Sequence, residues 1–330
     1  MINQFKPSFL LKNEHVQTLY SSMFTRCPWG RKIKSHKFEI ERFELSDGDF
    51  IDCYWYNFQE IESKKPIVML FHGLAGSYKS PYIQGTMQEL DKNGFNSVVV
   101  HFRSCSGVMN KSPNSYHSGK TDDALEFIDS LKNRYKNNKL FCTGYSLGGN
   151  MLLKLLGELA EQSPITAAIS VSAPMQLDIC ADYIDNGFSK FYQYILVKNL
   201  NDSLREKFKT HDFKTLINLE EKDIKNLKTF WDFDDAYTAP IHGFASAQDY
   251  YTKSSSKQFL KHIQTNTLII HSLDDPFMTP KILPNKDEIS PCVKLEVHQN
   301  GGHVGFIQGS FFKPKYYLEK RVVEFFKHFI

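Results

Sequence analysis

The chain has 330 residues, 41% of them hydrophobic and 23% charged, enough to bury a sizeable core and inconsistent with disorder. A net charge of +3 is too mild to argue for nucleic acid as a partner. Six cysteines (Cys27, Cys53, Cys105, Cys142, Cys180 and Cys292) are scattered without a C-x-x-C pair, which reads as free thiols in a reducing compartment.

The first residues, MINQFKPSFLLKNEH, show no basic stretch followed by an apolar run, so no signal peptide is expected there. No window approaches the roughly 18 unbroken apolar residues of a membrane span. The expectation is a cytoplasmic protein, with peripheral membrane contact left open. Within an N-terminal arm of residues 1–60, KFEIERFEL and FIDCYWYNF flank SDGD and predict a hairpin with an Asp-Gly turn.

From residue 66 a rhythm sets in. PIVMLFHG predicts a buried strand, YIQGTMQELDKNG a helix stopped at Gly94, and FNSVVVHFR a second strand. TDDALEFIDSLKNRY predicts an amphipathic helix capped by Thr121; KLFCTGYS, NMLLKLLGELAEQ and ITAAISVSAP continue as strand, helix and strand. Such alternation predicts a mostly parallel sheet with helices on both faces. Residues 175–258 break the rhythm with helical, aromatic-rich stretches and no strong strand, as an inserted helical cap does. TNTLIIHS, VKLEVHQ and the helix YYLEKRVVEFFKHF then resume it. Aromatic residues make up 14% of the chain; most belong to the core, and some suit an apolar pocket.

Three motifs carry candidate chemistry. GYSLG places Ser146 on a strand-to-helix turn, where Gly144 and Gly148 are needed because side chains would collide with neighbouring strand and helix. The helix N-terminus favours an anion formed there. A serine hydroxyl needs a base, and His303, in the glycine-flanked loop HQNGGHVGF, is the candidate; His298 competes but falls within a strand run. The imidazole needs a carboxylate. Asp274 and Asp275 follow the strand LIIHS, and the place before Pro276 favours Asp275, leaving Asp274 to structure the loop. The order Ser, Asp, His is that of α/β-hydrolases. An oxyanion hole would use the backbone N–H groups of Leu74, in FHGLAGS, and Leu147, with His72 holding its loop. The GKT of HSGKTDD lacks the glycine a phosphate loop needs. His117 and Asp122 form a weak H-x4-D pair, and Asp122 reads better as a helix-start anion. Aspartate, not serine, would stand at 146 for haloalkane or epoxide chemistry.

The blocks NEHVQT, HGLAGS, SPYIQG, SYHSGKTDD, GYSLGGNMLLKLLGE, DDAYTAPIHGF, DDPF and GGHVGF resemble the YheT-like α/β-hydrolases, relatives of animal ABHD lipases and of yeast medium-chain fatty-acid ethyl ester synthase/esterases. The resemblance covers nearly the whole chain. It implies the α/β-hydrolase fold and a serine hydrolase with Ser146 as nucleophile, Asp275 or its neighbour as acid and His303 as base. It implies small-molecule acyl esters as substrates, cleaved by water or passed to an alcohol, with no metal or organic cofactor. A lipase acting on membrane-derived lipid is the related alternative. One departure is visible: RSCSG stands where the family has R-G-C-S-G, so the turn at Ser104 is expected to differ. No chemistry is read from His15.

Overall fold

The computed structural model describes residues 5–23, 38–58 and 64–330; Cys27 lies outside them. Helix α1 (Glu14–Met23) precedes strands β1 (Phe38–Glu44) and β2 (Phe50–Tyr56), which pair as the expected antiparallel hairpin. Gly48 in its turn takes φ +82°, a left-handed conformation open to glycine at little cost.

Strand and helix then alternate: β3 (Ile67–Phe71), α2 (Pro81–Lys92), β4 (Asn96–Val100), α3 (Asp122–Arg134), β5 (Leu140–Tyr145), α4 (Leu147–Leu159) and β6 (Ala167–Val171). Each of these strands is buried at every residue, which explains why they read as unbroken runs rather than as alternating ones. A helical region follows: α5 (Leu177–Ile184), α6 (Ser189–Phe208), α7 (Phe213–Ile217), α8 (Phe230–Phe233), α9 (Ala239–Ile241) and α10 (Ala247–Ser254). Asp234–Thr238, between α8 and α9, is a π-helical turn. Then come β7 (Asn266–Ser272), β8 (Val293–His298), a small ribbon of β9 (Ile307–Ser310) and β10 (Lys313–Tyr316), and α11 (Tyr317–Phe326).

The main sheet runs β1-β2-β4-β3-β5-β6-β7-β8, parallel from β4 to β8 and antiparallel at β1 and β2. Residues of α3 and α4 pack with one face of the sheet, and those of α2 and α11 with the other. The chain moves from β3 to β4 on one side, then returns to place β5 on the other. The crevice at the carboxyl ends of β3 and β5 is therefore the switch point where α/β sheets put their ligands.

One expectation needs correction. Thr121 precedes α3 but does not cap its amides; its hydroxyl donates to Glu158 at 2.7 Å. Acidic Asp122 and Asp123 fill the first turn instead, which suits its positive end. Ser104 takes φ +68°, a left-handed conformation that favours glycine, and its hydroxyl donates to Asn110 Oδ1 at 2.6 Å. That hydrogen bond compensates the steric cost of a side chain in this region.

The same loop anchors the helical region. Lys207 of α6 is buried, and its Nζ donates to Asn110 Oδ1 at 2.7 Å and Ser112 O at 2.8 Å. Burial pushes its pKa down to about 8. Arg103 beneath it is buried among Asp47, Asp49 and Asp123.

Candidate active site

The chain reverses from β5 into α4 through Ser146, which takes φ +52° and ψ −121°. A side chain held there costs about 1–3 kcal/mol. The strain is clamped from both sides: Ser146 N–H donates to Val171 O at 2.8 Å, and its carbonyl accepts from Gly149 and Asn150. A Cβ on Gly144 would meet Gly148 O at 2.3 Å, and one on Gly148 would meet the carbonyl oxygens of Phe71 and His72 at 2.6 Å. Only glycine at both positions lets α4 press against β5 and β3.

Ser146 Oγ lies 2.9 Å from His303 Nε2. His303 Nδ1 lies 2.9 and 3.2 Å from the two carboxylate oxygens of Asp275. An ionised carboxylate accepts only, so Asp275 holds the Nδ1–H tautomer and leaves Nε2 free to take the serine proton. Asp275 is buried and also accepts from Phe277 N–H at 2.9 Å. The Phe277 ring lies parallel to the imidazole, 4.0 Å between centroids. Asp274 points elsewhere, accepting from Gly302 N–H at 2.9 Å and Asn300 at 3.2 Å. Of the two aspartates, one meets the imidazole and the other ties down its loop.

Among the described residues, the loop after β3 leaves one amide without an acceptor. Gly73 N–H donates to Tyr82, Ala75 N–H to Tyr116 and Gly76 N–H to Gly73 O. Leu74 N–H has no acceptor among the described residues, and neither has Leu147 N–H at the start of α4. His72 orients the first of these. Its Nε2 accepts from Phe102 N–H at 3.2 Å, so Nδ1 carries the proton and donates to Gly73 O at 2.7 Å. Gly73 C=O and Leu74 N–H belong to one trans peptide and point in opposite directions. Fixing the carbonyl aims the amide away from His72. A Cβ on Gly73 would lie 3.2 Å from Ser146 Cβ, which puts this loop directly against the serine. Burial holds the His72 pKa down at about 3, so the ring is neutral at any physiological pH.

Helix α1, unread in the sequence, braces the histidine loop. Thr18 Oγ1 accepts from His303 N–H at 2.9 Å, while buried Gln17 exchanges hydrogen bonds with Ile307 N–H and C=O. His15, left without a role, meets Tyr192 of α6 at 3.1 Å and packs tilted against Phe188. The NEHVQT block thus joins the His303 loop to α6. No local signal could have revealed this, because the partners are 285 and 177 residues apart.

Ser146 and His303 open into a cavity of about 640 Å³ between the sheet and the helical region, walled by residues such as Leu177, Ile184, Leu196, Leu200 and Phe233. Ligand pockets typically span about 300–1,000 Å³ with mostly apolar walls. The competing signals form no hydrogen bond with the serine hydroxyl among the described residues, although His117 lines the same cavity. His298 pairs with Glu296 at 3.0 Å and packs against Phe5, Phe306 and Tyr317. His117 packs on His242 and Tyr250, and Asp122 pairs with Lys120 at 2.6 Å. Among the described residues, no group of three or more His, Cys, Asp or Glu side chains is arranged to hold a metal ion.

Comparison with known proteins agrees with this architecture. Residues 66–310 match the family model for the alpha/beta hydrolase fold. The chain is 39% identical to YheT of Escherichia coli (strain K12) over 319 residues, 97% of this chain and 92% of that protein. It is 31% identical to a monoacylglycerol lipase of Saccharomyces cerevisiae, over 91% of this chain and 75% of that one. Among solved structures, the esterase Pf2001 of Pyrococcus furiosus superposes with a TM-score of 0.58 at 17% identity, covering 89% and 93% of the two chains, a likeness of fold alone. By its sheet order, its strand-end site and these matches, the chain belongs to the α/β-hydrolase fold family, among the relatives of YheT.

Proposed function

We propose that this protein is a serine hydrolase of carboxylic esters with short- to medium-chain acyl groups. The observation that carries the reading is the continuous relay Ser146–His303–Asp275, at 2.9 Å per step, opening into an apolar cavity. His303 Nε2 takes the Ser146 proton as the oxygen attacks the ester carbonyl, and Asp275 stabilises the imidazolium. The amides of Leu74 and Leu147 hold the oxyanion, helped by the positive end of α4. His303 returns the proton to the departing alcohol, leaving an acyl-enzyme that water opens by the same steps in reverse order. The apolar walls suit the acyl chain. The names of two relatives, a yeast monoacylglycerol lipase and a bovine phospholipase, favour lipid-derived esters as the class.

The test is a series of initial rates on p-nitrophenyl esters from acetyl to palmitoyl, for the wild type and Ser146→Ala. The expected result is a maximum at one chain length, abolished in the variant. Equal rates for both proteins across the series would sink the reading.

A further inference from the structure

Helix α6 is apolar on two faces. Tyr192, Leu196, Leu200 and Leu204 turn into the cavity. On the opposite arc Phe191 and Tyr194 are 49% and 65% exposed, and Phe188, just before the helix, is 55% exposed. Those three sit about one helical turn apart, on one stripe. Ile195 belongs to both faces, being 40% exposed and also in the cavity wall. Ser22 and Asn199 likewise line the cavity and are exposed, so the mouth lies between the end of α1 and the middle of α6. Met23, 63% exposed, stands on the α1 side of that mouth.

Charges of both signs stand around this rim. Lys190, Lys198 and Arg205 lie on the exposed arc of α6, answered by Asp185 and Asp202. His15 ties the start of α1 to Phe188. Just before α1, exposed Phe9 and Leu10 sit between exposed Lys6 and Lys12, which form no ion pair among the described residues, while buried Leu11 anchors the turn. Aromatic and aliphatic side chains standing out of a helix, flanked by lysines, are the composition of an interfacial helix. A soluble protein that keeps its substrate in water has no need to surround a cavity mouth with exposed rings.

We propose that this face docks the protein on an anionic lipid bilayer, with Phe188, Phe191 and Tyr194 of α6 entering the headgroup boundary and the lysines meeting acidic headgroups. The mouth between α1 and α6 then faces the lipid, and an acyl ester passes into the cavity without crossing water. This purpose rests on the ester-hydrolase reading, but the binding itself does not.

The test is flotation of the full chain carrying Ser146→Ala, so that lipid is left intact, with vesicles of phosphatidylglycerol or of phosphatidylcholine. The protein is expected to float with the anionic vesicles, to release at high salt, and to bind the zwitterionic ones far more weakly. Phe191→Ser with Tyr194→Ser, two residues outside the cavity wall, is expected to lower the partition at least about tenfold. Lys190→Glu with Lys198→Glu is expected to do the same by charge. In an otherwise wild-type chain, Phe191→Ser with Tyr194→Ser should keep the rate on soluble p-nitrophenyl acetate, which shows that the variant is folded and tests Ser146 separately. No flotation with either vesicle, or flotation of the serine variant equal to its parent, overturns the proposal. So does a dimer in sedimentation that the same variant dissociates, because the face is then a contact between copies.

Discussion

Asp274 and Asp275 are neighbours in the chain with different work. Asp275 fixes the imidazole tautomer, whereas Asp274 accepts from the Gly302 amide of the histidine loop. Asp275→Asn should therefore lower kcat about 10⁴-fold, the loss expected when the wrong tautomer is held, with little change in stability. Asp274→Ala leaves the Gly302 N–H unpaired and should cost about 1–3 kcal/mol of stability with only about a tenfold loss of rate. Steady-state rates and urea midpoints on both variants check this; equal rate losses would reverse the assignment. At this scale the sequence was informative because each candidate lies at a strand end with its own turn chemistry. The glycines around Ser146, the Asp-Pro step and the Gly-Gly-His loop are local signals. Phe277 against His303 was not readable: a ring beside a proline turn announces no partner until the loops meet in space.

Among elements, α1 shows where such reading stops. The block NEHVQT was visible as part of a resemblance, yet nothing in its own pattern said that Thr18 would hold His303 N–H or that Gln17 would complete the pairing of β9. Its function is a long-range contact. Thr18→Val keeps the shape and removes the acceptor. It should lower kcat about tenfold with KM nearly unchanged, since the histidine loop loosens while the cavity wall stays. Gln17→Ala should be worse for stability, about 2–3 kcal/mol or more, because Ile307 N–H and C=O are left buried and unpaired. Denaturant titration and steady-state kinetics separate the two effects; a Thr18→Val enzyme with wild-type kcat would remove α1 from the account of the site. The π-helical turn at Asp234–Thr238 and the β9–β10 ribbon were equally silent in the sequence, being short and set by tertiary packing. The buried strands and amphipathic helices were legible because burial on two faces, or on one, writes its own period.

At the scale of the whole molecule, acid is the vulnerable direction. Burial lowers the pKa of His72 to about 3 and of His101 and His242 to about 4, and pushes His117 and His271 down as well. Below the usual histidine pKa of about 6.5 the unfolded chain takes up protons that the folded chain refuses. Each such histidine then removes about 1.4 kcal/mol of stability per pH unit until its folded pKa is reached. Asp234 works the other way. Burial raises its pKa to about 6, so the folded state gains its proton first and recovers stability as pH falls from there. Burial raises Asp274 as well, and two carboxyls against several histidines leave a net loss. The melting temperature should decline steadily from about pH 6.5 to 4 and change little from 7 to 8; a flat profile between pH 7 and 5 would contradict the burial of these rings as neutral groups.

The central claim is that Ser146 is the nucleophile, activated by His303. The most direct measurement is intact-protein and peptide mass spectrometry after treatment with a fluorophosphonate, which reacts with an activated serine. The expected result is one adduct per chain on the peptide containing Ser146, absent from Ser146→Ala and formed far more slowly in His303→Ala. An adduct on another residue, or none on the folded wild type, would contradict it.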